Sequence, residues 1–159
     1  MNRTLIPIAA FALLAVCSNE PKPVPAGEQS AVAVTDAVCR PTPVGRKMTG
    51  CYLTLTAGAD DRLLSIATPV AGRVEIHESK IESNMMMMRE LKEGLPLPAR
   101  QVVELKPGGN HIMLLAVENP LVAGQTVPLT LTFASAPPVV VQAAVGQPKT
   151  TEDDVYAAH

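Results

Sequence analysis

Fifteen prolines punctuate this 159-residue chain, and between them no stretch sustains the 3.6-residue repeat of an amphipathic helix. A proline inside a helix removes a backbone donor and clashes with the preceding turn, so helices of useful length do not fit this spacing. What the intervals hold instead is alternation. Tyr52-Leu53-Thr54-Leu55-Thr56 interleaves apolar and hydroxyl side chains, and Thr126 to Phe133 does so more cleanly, with Val127, Leu129, Leu131 and Phe133 on one face. Shorter apolar runs at Val32 to Val38, Leu63 to Ala67, Arg73 to His77 and His111 to Val117 are bounded by Pro, Gly and Asp. Short strands with such frequent turns predict an all-β chain, an antiparallel sandwich or small barrel. Residues 30–136 are the expected domain, long enough to bury one core.

The ends have a different composition. Asn2-Arg3 gives a positive start, and Leu5 to Val16 is apolar but too short to span a bilayer, which predicts a secretory signal peptide over residues 1–17. Leu14-Ala15-Val16-Cys17, followed by polar Ser18-Asn19-Glu20, resembles a bacterial lipoprotein signal in which Cys17 becomes the lipid-bearing first residue. The alternative is a soluble exported protein cut between Ala15 and Ala31. Residues 18–29 are a proline-spaced linker. Residues 137–159 are expected to form a mobile C-terminal extension, whose acidic end and His159 could hold a second metal weakly. Export also bears on the other two cysteines. Cys39 and Cys51 lie in neighbouring expected strands, and an oxidising compartment favours a disulfide between them; two buried free thiols are the alternative.

Charge and composition remove several function classes. A net charge of −2, aromatics at 3% and no Trp leave neither a basic field nor a stacking surface for nucleic acid. Membrane association is expected only through the N-terminal lipid. Carboxylates are scattered and no nucleophile–His pairing or open-site zinc set is visible, so no enzymatic activity is expected.

One stretch does carry chemistry. His77, the run Met85-Met86-Met87-Met88, and His111-x-Met113 gather imidazoles and thioethers within about forty residues, the soft donor set that selects Cu(I) over zinc and hard cations. Side chains alternate along a strand, so His111 and Met113 face one way while Ile112 faces the other. By the same parity Arg73, Glu75 and His77 face outward from a strand that ends at His77. Met86 and Met88 share one side of theirs, Met85 and Met87 the other. One methionine pair is expected to fill the core.

Together these residues resemble the PCu(A)C-domain periplasmic copper chaperones. The family signature is a His, ten residues, a Met, then His-x-Met after a further long interval. Here His77 is followed after ten residues by Met88-Arg89, and after twenty-two more by His111 and Met113, one residue beyond the usual spacing. Asp61-Arg62-Leu63, Ala71-Gly72-Arg73-Val74-Glu75-Ile76-His77-Glu78 and Leu105-Lys106-Pro107-Gly108-Gly109 also read as the family does, and the resemblance covers roughly residues 32–134. It implies a cupredoxin-like β-sandwich of Greek-key type that binds one Cu(I) through His77, Met88, His111 and Met113, with Met86 as a substitute for Met88. It further implies a periplasmic metallochaperone that passes copper to assembling respiratory-oxidase centres such as that of cytochrome c oxidase, or to another copper acceptor. Two rival readings are an electron-transfer cupredoxin, which would need a thiolate ligand, and a non-metal lipoprotein module with a Met-rich docking patch.

Overall fold

Residues 31–149, which the computed structural model describes, form ten strands and no helix. Cys17, the signal and linker segments and the His159 tail lie outside the described residues. The strands are β1 (Val32–Cys39), β2 (Met48–Ala57), β3 (Asp61–Ala67), β4 (Ala71–Glu82), β5 (Met85–Glu90), β6 (Leu95–Leu97), β7 (Val102–Leu105), β8 (His111–Val117), β9 (Thr126–Phe133) and β10 (Val139–Val145). They pair in the order β5-β4-β8-β2-β1-β10-β9-β3-β6, with β7 also on β2. All described pairings are antiparallel except β1 with β10, where Val38 meets Ala144 and Cys39 meets Val145. That short parallel contact joins the two halves of a sandwich. β3 also packs against β4, and β6 against β2.

The alternation read from the sequence decides which side of each strand is buried. Leu53 and Leu55 of β2, Leu63 of β3, Ile112 and Leu114 of β8, and Leu129 and Leu131 of β9 are fully enclosed, and all belong to one continuous core. In β1 the register slips between Thr35 and Val38, and Asp36 takes a left-handed φ of 53°. Such a bulge bends a strand, and here it lies just ahead of the residues that take up β10.

The domain does not close at Ala136 as expected. Val139–Val145 is strand β10, which fills the gap between β1 and β9, with Ala143 and Val145 buried. An unpaired sheet edge on either neighbour would expose backbone donors and acceptors, and inserting β10 satisfies both. Strands β6 and β7 also went unforeseen, since three or four residues are too few to establish a period.

Cys39 and Cys51 face each other across β1 and β2 with their Cα atoms 4.0 Å apart, and their sulfurs are bonded. Both are fully buried. Closing a loop of this size restricts the unfolded chain, so replacing both cysteines with serine should lower the unfolding free energy by about 2–3 kcal/mol. A shift of the urea midpoint at unchanged slope checks this; an unshifted midpoint would contradict it.

Candidate metal centre

Three adjacent strands build the site. β4 pairs with β8 so that His77 lies opposite His111 and Glu75 opposite Met113. On its other edge β4 pairs with β5, with Glu90 opposite His77 and Met88 opposite Ser79. Directly paired residues point to the same side of a sheet, and side chains alternate along each strand. His77, His111, Met113 and Met88 therefore share one face, while Ile76, Ile112 and Leu114 enter the core from the other. His77 is the hub. His111 is directly across from it, and Met113 and Met88 are its diagonal neighbours on the two flanking strands. Diagonal positions are typically about 7–8 Å apart, within reach of long side chains.

Local sequence places each imidazole. Before His111, the Lys106 N–H donates to the Asn110 carbonyl (2.8 Å) and the Gly109 N–H to the Lys106 carbonyl (3.1 Å). Gly108 at φ +78° supplies the left-handed residue of this turn, where a side chain would be strained. His111 is thus the first residue of β8, and its Nδ1 lies 2.9 Å from the Gly109 carbonyl oxygen. The residue is only 6% exposed. Burial pushes its pKa below the ordinary imidazole range; the Gly109 carbonyl opposes that shift and the neighbouring His77 adds to it. At neutral pH His111 is accordingly uncharged and keeps a lone pair.

His77 sits in the middle of β4, not at a strand end as its sequence context suggested. Its Nε2 is 2.8 Å from Glu75 Oε2, and the other oxygen of Glu75 accepts from Arg73 Nε at 2.8 Å. Its Nδ1 is buried and has no hydrogen-bond partner. The two imidazoles meet edge to face, with centroids 5.6 Å apart and planes at 73°.

The methionines differ from expectation. Met85, Met86, Met87 and Met88 are 62%, 48%, 49% and 64% exposed, so neither pair fills the core. The β4–β8 pairing stops at His77 and His111, whereas β4 runs on to Glu82. Beyond that point β4 pairs only with β5; Ser79 is still buried, but from Lys80 to Glu82 and along all of β5 the ribbon is exposed. Ser83 (φ 51°) and Asn84 (φ 63°) close it in a two-residue turn with both residues left-handed, the geometry that suits a twisted hairpin. Met86 lies on the same face as Met88 but opposite Ile81, two residues farther from His77.

Among the described residues no three His, Cys, Asp or Glu side chains are grouped to hold a metal ion. The sulfur on this face is that of methionine, because the two domain cysteines are consumed in their bridge. Two contributors were missed from sequence: the Glu75 carboxylate and the Gly109 carbonyl. Period-two spacing already put Glu75 on the side of His77, which was the available signal.

Residues 32–145 match the family described as "Putative lipoprotein LpqE-like". A curated protein of Leifsonia xyli subsp. xyli, "Putative lipoprotein Lxx21020", is 35% identical over 97 residues, which cover 60% of this chain and 54% of that protein. The chain thus spans about half the length of the curated relative it matches. Among solved structures, the apo PCuAC domain from PmoF1 aligns with a TM-score of 0.61 at 25% identity, over 74% of this chain and 94% of that domain. The Cu(I) form of DR1885 from Deinococcus radiodurans aligns at 0.58 with 29% identity, over 76% of this chain and 82% of that one.

Proposed function

Since the chain belongs to the LpqE-like lipoprotein family, which shares the PCuAC β-sandwich, we propose that it is an exported carrier of Cu(I). One ion is held by His77, Met88, His111 and Met113, with Met86 able to replace Met88. The observation that carries this reading is the convergence of two imidazoles and two thioether positions on one sheet face around His77, whose buried Nδ1 lacks a partner. A buried nitrogen without a hydrogen bond is costly, by about 1–3 kcal/mol, and a soft cation would satisfy it. A relative of the same fold, DR1885, has been solved with Cu(I).

The donor set suits a carrier better than a permanent cofactor site. Thioether sulfur and imidazole are neutral and favour Cu(I), and no thiolate locks the cargo in place. Met88 stands on an exposed edge, where an acceptor's ligands can approach before the donor's leave. We assign delivery to assembling respiratory-oxidase copper centres, with Cys17 as the lipid anchor that keeps the domain at the outer side of a membrane. Anaerobic titration with Cu(I), joined to X-ray absorption, tests the reading: one ion per chain with mixed nitrogen and sulfur scattering is expected. Lack of one-to-one binding would favour the Met-rich ribbon as a protein-docking patch instead. Delivery is tested by mixing copper-loaded protein with a copper-free oxidase domain and following metal transfer.

Protons compete with copper for the imidazole lone pairs. Below the unperturbed pKa of about 6.5 an ordinary histidine charges, but burial keeps His111 neutral to lower pH. Affinity is therefore expected to hold from pH 8 to 7 and to weaken only as the pH falls through about 6 and below. Competition against a Cu(I) chelator at each pH measures this; affinity flat to pH 4 would exclude imidazole ligands.

A further inference from the structure

We infer that the two histidines hold the ion through different nitrogens, His77 through Nδ1 and His111 through Nε2, and that Glu75 is the positioning residue that enforces the split. This rests on the copper-carrier reading above and specifies its ligand atoms.

A neutral imidazole has one N–H and one lone pair, so fixing the proton on one nitrogen commits the other to binding metal. A carboxylate accepts hydrogen bonds and donates none. Glu75 Oε2, 2.8 Å from His77 Nε2, therefore sets the proton there and leaves the lone pair on Nδ1. That atom is buried and unpartnered. A backbone carbonyl likewise only accepts. The Gly109 oxygen, 2.9 Å from His111 Nδ1, puts the proton on that nitrogen and frees Nε2. Two rings 5.6 Å apart in edge-to-face contact thus present opposite nitrogens. Arg73 completes the device: it holds Glu75 Oε1 at 2.8 Å, so the carboxylate cannot turn away from His77 without losing an ion pair. Groups that hold the non-coordinating nitrogen of a ligand histidine raise its basicity and fix its orientation, and losing them typically weakens metal binding by about 10–100-fold.

The substitution Glu75→Gln is the sharpest probe, because it keeps the shape and changes the donor pattern. Arg73 can bond only to the amide oxygen, which turns the NH2 group toward His77 Nε2. His77 must then accept there and carry its proton on Nδ1. The full mature chain labelled with 15N-histidine, studied by long-range 1H–15N correlation without metal, should show His77 protonated on Nε2 and His111 on Nδ1. Loading with Ag(I), a spin-active analogue of Cu(I), should split His77 Nδ1 and His111 Nε2. In Glu75→Gln the apo His77 tautomer should reverse and Ag(I) and Cu(I) affinity fall by about 10–100-fold, while His111 keeps its tautomer. Splitting at His77 Nε2, or an unchanged His77 tautomer in Glu75→Gln, would overturn the assignment while leaving the carrier reading intact. If silver couples to neither ring, the carrier reading fails and this assignment with it. Glu75→Asp, which keeps a carboxylate on a shorter arm, should retain the wild-type tautomer; a reversal there, with an acceptor-only group still present, would overturn the role given to Glu75.

Discussion

Replacing His77 with alanine is expected to lower Cu(I) affinity on the order of a thousandfold, about 4 kcal/mol, while the domain stays folded. His77 is the one residue that neighbours each of the other three donors: directly across from His111, and diagonal to Met113 and Met88. Removing it leaves Met88 on one side and His111 with Met113 on the other, with no shared neighbour. The ring lies on the face opposite Ile76 and Ile112, so the core on that other side keeps its packing. Met88→Ala should be far milder, about tenfold. Met88 is 64% exposed on an edge strand, and Met86 follows two residues along the same face. The double change of Met86 and Met88 should cost more than either alone. Anaerobic competition with a chromophoric Cu(I) chelator resolves these differences, with a thermal melt as the folding control. Equal losses for His77→Ala and Met88→Ala would refute the hub arrangement.

Ile112→Ala should do the opposite kind of damage: a loss of about 3–4 kcal/mol in stability with affinity changed by no more than about threefold. Ile112 lies between two proposed ligands in sequence but on the other side of the sheet. It is fully buried, and its strand neighbours are Cys51 on β2 and Ile76 on β4. Truncation leaves a cavity at the centre of the core, where the bridged Cys51 and the flanking strands limit collapse. The folded fraction would still present His111 and Met113 in register. Urea unfolding gives the first quantity and chelator competition below the transition gives the second. A large affinity loss in folded Ile112→Ala would mean that the two faces of the sheet are coupled.

That contrast also marks what could be read from the residues alone. Period-two alternation placed Thr126–Phe133 correctly as a strand, and it put His111 with Met113, and Glu75 with His77, on shared faces. Parity tells which side chains share a side, but not whether anything covers that side. For this reason parity alone sends one methionine pair to the core, although the ribbon that carries the run extends past its last neighbour. The polar residues Glu78, Ser79 and Lys80 likewise hid the continuation of β4, because strand pairing there comes from the β5 partner and not from an apolar pattern. After Pro137-Pro138 the stretch Val139–Val145 reads as part of an extension, yet two open strand edges recruit it. The role of Glu75 depends on a 2.8 Å contact and a choice of nitrogen, which no spacing rule encodes.

The ribbon of β4 and β5 stands clear of the sandwich, joined to it through the continuing β4 strand. The two imidazoles are seated over the packed interior, whereas the Met88 sulfur rides on an overhanging arm. On the carrier reading, unloading can begin by unhooking that arm alone, with no layer of the interior loosened. How long the cargo stays and how long the fold lasts are then separate properties, and a change in the tip can tune the first without touching the second.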